Sequence, residues 1–195
     1  MTTHIAVFVF EGAEELDFVG PWEVLTVWAQ SFDDDVEVFT ISQTAEAVTC
    51  AKGLRVIPDH TFDTAPEFDV LVYPGGEGNR AHIGNEQIRT WLRKNADRGA
   101  LMTSVCTGSL VYADAGLLEG KPATTHWMWT EMLGSLGKNV EVRADDRFVD
   151  AGSVITAAGV SAGIDMALHL VARLASIDRA REVKKYIQYD PAPPV

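Results

Sequence analysis

Four short runs constrain this chain more than any other feature. Ile5–Phe10, Val70–Tyr73, Ala100–Val105 and Val154–Ala157 are dominated by β-branched, aliphatic and aromatic side chains that barely alternate with polar ones. A strand that is apolar on both faces must be covered on both faces, which is the condition of a parallel sheet between two layers of helices. The segments between the runs supply those helices. Glu86–Asp97 sets Ile88, Trp91, Leu92 and Ala96 on one face and Arg89, Arg93 and Lys94 on the other, and Gly99 stops it. Leu16–Phe32 reads as a helix interrupted near its start by Gly20-Pro21, with Val24, Leu25 and Trp28 as its inner face. Thr107–Ala115, Trp129–Leu136, Ser161–Ala175 and Ile177–Tyr189 read as the other helices, Ser161–Ala175 with Ile164, Ala167, Leu168 and Val171 inward.

Val36–Ser42 alternates and follows the acidic turn Asp33-Asp34-Asp35, so it reads as a strand. Thr49–Pro58 reads as a hairpin around Lys52-Gly53, and Val140–Arg143 and Arg147–Val149 as edge strands. The predicted fold class is α/β, a three-layer sandwich around a mostly parallel central sheet, formed by one domain over residues 1–195. A chain of 195 residues buries about 70% of its extended surface, enough for a core without staples. Catalytic groups in such sheets gather at the carboxyl ends of the strands.

Charge narrows the function. Acidic residues number 28 and basic residues 16, a formal net charge of −12. No Lys/Arg cluster offsets it, so nucleic acid and anionic membranes are not expected partners. Two cysteines, Cys50 and Cys106, make no disulfide framework. The opening MTTHIAVFVFEGAEELD has no basic n-region and too short an apolar run for a secretory signal, so a reducing cytoplasm is the expected compartment.

Four segments are candidates for chemistry. Thr103-Ser104-Val105-Cys106-Thr107-Gly108-Ser109-Leu110 runs a buried strand into a cysteine and at once into a helix, the layout of a nucleophile elbow. Gly108 and Ser109 permit a tight turn, and the free N–H groups of the new helix favour thiolate; the alternative is a buried structural cysteine. Gly12-Ala13-Glu14-Glu15-Leu16-Asp17 follows the first strand. One of its carboxyls could point over the sheet, or all could cap a helix. Pro74-Gly75-Gly76-Glu77-Gly78-Asn79-Arg80-Ala81 matches G-x-G-x-x-A, but Pro74 and the break at Ile83-Gly84-Asn85 argue against a dinucleotide site. Its glycine N–H groups could instead face a developing anion. His126, in Thr124-Thr125-His126-Trp127, could orient or deprotonate a nucleophile, or be a core histidine. Asp165, His169 and Arg173 form a polar stripe at helical spacing, and His4, His60 and His82 are scattered. No ligand spacing suggests a metal, and no cofactor is expected.

Together the elbow TSVCTGSL, LDxxGPxxVL at 16–25, PGGxG at 74–78, AGLLxGxxATTHW at 115–127 and AGIDMAL at 162–168 resemble the ThiJ/PfpI superfamily. Within it the chain is most similar to the isonitrile hydratase branch, down to the terminal YDPAPPV. The resemblance implies a flavodoxin-like, class I glutamine-amidotransferase-like fold, a small-molecule substrate and a homodimer. It implies Cys106 as nucleophile and Asp17 as acid/base partner. It also implies Thr107 as a substrate-facing group, Gly76 with Gly75 as the anion pocket, and His126 in support. Protease-like members carry histidine after the cysteine, where this chain has Thr107; glyoxalase and repair-type members often carry glutamate at the position of Asp17. Both differences point to a hydro-lyase acting on isonitriles. The other readings are a Cys enzyme of small reactive carbonyls and a non-catalytic ligand- or redox-sensing module. Met128 and Trp129 are bulky departures that reshape the pocket.

Overall fold

The computed structural model describes residues 1–191, so the end of the YDPAPPV segment, residues 192–195, lies outside the described residues. The first apolar run forms β1 (Thr3–Phe8), followed by α1 (Glu15–Ser31) and β2 (Val36–Ser42). A small antiparallel hairpin, β3 (Val48–Thr49) with β4 (Arg55–Val56), turns through Lys52-Gly53 as its sequence predicts. Then come β5 (His60–Thr61), β6 (Val70–Tyr73), α2 (Glu86–Asp97), β7 (Leu101–Val105) and α3 (Gly108–Asp114). The last part holds β8 (Pro122–Ala123), α4 (Thr130–Leu136), β9 (Glu141–Val142), β10 (Phe148–Asp150), β11 (Val154–Ala157), α5 (Ala162–Leu174) and α6 (Ile177–Tyr186).

Seven strands form the central sheet in the order β10-β11-β7-β6-β1-β2-β5. Every neighbouring pair is parallel except the β10–β11 edge. The fold is therefore α/β with a mostly parallel sheet, α1, α5 and α6 packing together on one face and α2, α3 and α4 on the other. The residues of β1 from Ile5 onward and all those of β6, β7 and β11 are buried, as two-sided cover requires. The chain reverses its direction of growth at β1, whose neighbours are β2 on one side and β6 on the other. That switch opens a crevice at the carboxyl ends of β1 and β6, where ligands bind in open α/β sheets.

Several elements differ from expectation. α1 runs unbroken through Gly20-Pro21. A proline removes one helix hydrogen bond, but here Gly20 lets α1 lie against Ile164 of α5, and a Cβ at Gly20 would come within 2.9 Å of that side chain. The inward face of α5 is Met166, Ala167, Leu170 and Val171, while Ile164 and Leu168 are only half-buried. The helix is rotated from the expected face because it packs on α1 and α6 as well as on the sheet. α6 ends at Tyr186 rather than Tyr189. Tyr189 instead donates its hydroxyl to Asp165 Oδ1 at 3.0 Å. The polar stripe of α5 is satisfied outside its own helix: His169 and Arg173 both hold Asp150, and Arg147 holds Asp165. β10 is an edge strand as expected, but β9 leaves the main sheet and pairs with β8. The cationic face of α2 is likewise engaged, with Arg89 clasping Asp114 and Arg93 donating to the Ala115 carbonyl.

Candidate active site

Three loops converge at the carboxyl ends of β1, β6 and β7. The loop after β1 and the loop after β6 are stitched by an isolated antiparallel bridge between Ala13 and Gly76, and Glu14 donates its N–H to the Gly75 carbonyl at 2.9 Å. The β3–β4 hairpin braces the first loop from outside through Gly12 N–H to Thr49 O and Ala51 N–H to Ala13 O, both 2.8 Å. Glycine is required at the seam. A Cβ on Gly76 would sit 2.4 Å from Gly12 O, and one on Gly78 would sit 2.0 Å from Glu11 O. Gly76 also has φ +120°, open to glycine alone at little cost.

Cys106 occupies the turn after β7 with φ +56°, the left-handed region that non-glycine side chains avoid. The strain is held by many bonds. Its N–H reaches Ala157 O and Ala158 O at 3.1 and 3.0 Å, and its carbonyl accepts Thr125 Oγ1 at 2.9 Å and Ser109 Oγ at 3.2 Å. Gly108 lets the start of α3 approach β6, for a Cβ there would lie 2.6 Å from Tyr73 O. This is the strand–turn–helix elbow that the sequence predicts.

Asp17 lies in the first turn of α1 and is wholly buried. It is not a solvent-facing cap. Its Oδ2 accepts the Gly75 N–H at 2.8 Å, while Oδ1 is buried without a well-formed hydrogen bond. The Cys106 thiol lies against the same carboxyl. Burial, reinforced by Glu14, pushes the Asp17 carboxyl up to about 7 despite the Gly75 bond and the Cys106 contact. Burial also pushes the Cys106 thiol up, and the Asp17 charge adds to the effect. Backbone N–H groups of Thr107 and Val160 oppose the rise without cancelling it. The expectation of a thiol lowered by the helix start is thus corrected. α3 has only seven residues, and desolvation beside a carboxyl outweighs its N–H groups. The two groups titrate as a pair that holds a proton between them near neutrality.

Gly75 and Gly76 also depart from a free anion pocket. The Gly75 N–H is taken by Asp17, and the Gly76 N–H donates to Thr107 Oγ1 at 3.1 Å. Gly75 positions the carboxyl, and its missing side chain makes room for it: a Cβ would stand 2.7 Å from Asp17 Oδ2, Thr107 N and Thr107 Oγ1. His126 lines the same cavity but makes no hydrogen bond to Cys106 or Asp17. Its Nδ1 accepts the Met128 N–H at 3.2 Å, which leaves Nε2 to carry the ring hydrogen of the neutral form. Gly159 admits the ring, since a Cβ there would lie 2.4 Å from Cδ2.

The cavity over Cys106 holds about 340 Å³. Ile83, Leu110, Trp129, Met132 and Val160 give it apolar walls, and Glu14, Glu77 and Arg80 stand among its lining residues. Lys52 pairs with Glu14, and Arg80 with Glu77 at 3.7 Å. A small, largely apolar molecule fits this space. Among the described residues no group of three or more His, Cys, Asp or Glu is arranged to hold a metal ion. Among them, too, no helix is long and apolar enough to cross a membrane.

Two residues at the site escaped sequence reasoning. Asn79, an unspecified position of the G-x-G-x-x-A match, is buried beside Thr107. Val160 has φ +47°, a costly conformation for a β-branched residue, and turns its N–H to the sulfur. Neither carries a compositional signal. Cys50 is buried in the hairpin, outside the cavity, with its thiol pushed up to about 11 by burial and then by Glu15 and Glu11.

The chain matches the DJ-1/PfpI family over residues 3–173. It is 39% identical over 194 residues to the isonitrile hydratase of Pseudomonas putida, spanning 100% of this chain and 82% of that protein. Its structure superposes with a TM-score of 0.90 on a ThiJ/PfpI family protein from Pseudomonas syringae, at 32% identity over 100% of this chain and 78% of that one. The TM-score with Drosophila melanogaster DJ-1beta is 0.86, at 26% identity, covering 97% and 100% of the two chains.

Proposed function

The chain belongs to the DJ-1/PfpI family, and from that and the buried Cys106–Asp17 pair we propose that it hydrates isonitriles to N-substituted formamides. The observation that carries the reading is Asp17: a fully buried carboxyl against the thiol, poised near neutrality, with one oxygen left without a bonded partner. A group that must give a proton and then take one back works best with its pKa near the operating pH. The apolar cavity suits a neutral organic group on the isonitrile nitrogen. Full-length similarity to a protein named isonitrile hydratase supports the same chemistry.

The atoms balance in two stages. The Cys106 sulfur adds to the isonitrile carbon while the proton held by the pair is delivered through Asp17 to that carbon, giving a thioformimidate. Water then adds to the same carbon, and Asp17 takes one of its protons and passes it to the substrate nitrogen. The C–S bond breaks, the formamide carbonyl forms, and the proton returns to the pair. One water is consumed and nothing is oxidised or reduced. Covalent catalysis splits the hydration into two easier steps. The Thr107 hydroxyl faces the charge that develops at nitrogen and then at oxygen.

Initial rates with cyclohexyl isocyanide and with methylglyoxal test the reading, comparing wild type with Cys106→Ala. The expected result is N-cyclohexylformamide from wild type alone. Conversion of methylglyoxal but not of the isonitrile assigns the site to carbonyl chemistry. Conversion of neither leaves the sensing reading.

A further inference from the structure

The Thr107 hydroxyl has a bonding problem with only one solution. A hydroxyl offers one hydrogen and two lone pairs. Two donors are aimed at its oxygen, the Gly76 N–H at 3.1 Å and the Asn79 Nδ2 at 3.2 Å. Neither donor can accept. Among the described residues the one acceptor within hydrogen-bonding range, Gly76 O, lies 3.5 Å away, too far for a good O–H···O bond. Both lone pairs are therefore filled and the hydrogen is left for the cavity that Thr107 lines with Cys106.

Asn79 is the side chain that completes this arrangement. Its orientation is fixed because Nδ2 also donates to Pro74 O at 3.3 Å, and a reversed amide would set oxygen against that carbonyl. The cost is visible on its other side. Asn79 is 2% exposed, and its Oδ1 is buried with no partner among the described residues. An orphaned buried acceptor is a penalty that an apolar side chain of similar size would not carry. The orphaned oxygen offsets what the Pro74 bond contributes, so stability gives little reason for an amide at this position, whereas the bond to Thr107 gives one.

We infer that Asn79 is a positioning residue that commits the Thr107 hydroxyl to donate its hydrogen to the reacting substrate. The inference rests on the isonitrile reading for its substrate, though not for its geometry. Without Nδ2 one lone pair of the Thr107 oxygen is left unfilled, the hydroxyl is free to rotate, and its hydrogen is no longer held toward the cavity for the transition state.

A double-mutant cycle on purified full-length protein tests it, using Asn79→Leu, Thr107→Val and the two combined, with cyclohexyl isocyanide as substrate. Asn79→Leu is expected to lower kcat about tenfold, less than the roughly 10²–10³ that loss of a whole donor costs, with KM nearly unchanged. In the Thr107→Val background the same change is expected to cost nothing. Thermal stability should stay close to wild type, because the orphaned oxygen is gone while the Pro74 carbonyl loses one donor. Equal proportional losses in both backgrounds, or a loss that tracks a lowered Tm, overturns the inference. If Asn79→Leu does not fold, Asn79→Asp carries the cycle: it keeps the shape, but its carboxylate draws the Thr107 hydrogen back from the cavity. If wild type does not hydrate the isonitrile, the hydratase reading falls alone. The same proteins are then compared by the rate at which methylglyoxal modifies Cys106, where an alkoxide develops in place of the isonitrile nitrogen, and the same criterion applies.

Discussion

Replacing Asp17 by asparagine separates proton transfer from every other role of that side chain. The amide keeps the size, and its Oδ1 can still accept the Gly75 N–H that now reaches Oδ2 at 2.8 Å. Its NH2 then turns to the Cys106 sulfur. What is lost is the ability to cycle between acid and base, expected to cost about 10²–10⁴ in turnover. A second effect has the opposite sign. The folded carboxyl titrates at about 7 against an ordinary 3.8, so the folded protein holds a proton that the unfolded chain has released. Wild-type stability is therefore lost as pH rises through that window, by ~4 kcal/mol in all. The variant has no such proton. It should equal wild type near pH 4 and exceed it by up to ~4 kcal/mol near pH 8, a rise in Tm of about 10 °C. With the carboxylate gone, the thiol loses a neighbour that raises it, so iodoacetamide should alkylate Cys106 at least as fast as in wild type. Initial rates, denaturant melts at the two pH values and alkylation kinetics make up the assay. Turnover near wild type removes Asp17 from the mechanism and turns suspicion to His126. A variant that keeps the wild-type slope of stability against pH refutes the account of the buried carboxyl.

Two further outcomes follow from the same geometry. Mild peroxide should oxidise Cys106 and spare Cys50, because Cys106 lines the cavity of about 340 Å³ and Cys50 does not, while both thiols are pushed up by burial; peptide mass analysis decides, and preferential modification of Cys50 refutes it. Gly75→Ala should abolish turnover and slow Cys106 alkylation, since the new Cβ meets Asp17 Oδ2, Thr107 N and Thr107 Oγ1 all at 2.7 Å; an active variant would mean that the three loops shift freely at their seam.

The sheet was legible because its signal is local. Val36–Ser42, Val70–Tyr73 and Val154–Ala157 are strands with the bounds that their residues suggest. The elbow was legible for a related reason, as a buried strand, one cysteine and small residues follow each other without interruption. Asp17 was harder. Three carboxyls lie within four residues, Glu14, Glu15 and Asp17, and nothing in their order says which one turns inward. That is decided by the register of α1, which buries Asp17 and leaves Glu14 to Lys52 and Glu15 to the hairpin backbone. The thiol's acidity is not legible in the sequence, because a helix start is visible there and desolvation is not. Asn79 and Val160 were invisible because their importance lies in one torsion angle and one unpaired oxygen.

The cavity draws its floor and its walls from different parts of the chain. The reacting pair and its glycine seam sit on the ends of β1, β6 and β7, whose neighbours fix them from every side. Trp129 and Met132 come instead from the excursion between β8 and β9, which pair only with each other and never enter the main sheet. Beyond Thr124 and Thr125, which tie its start to Thr156 and to the Cys106 carbonyl, that excursion can change length, bulk or polarity without touching the elbow or the buried carboxyl. Reaction type and molecular preference are thus inherited separately: a lineage could keep the bond-making apparatus and acquire a new diet by editing a single loop.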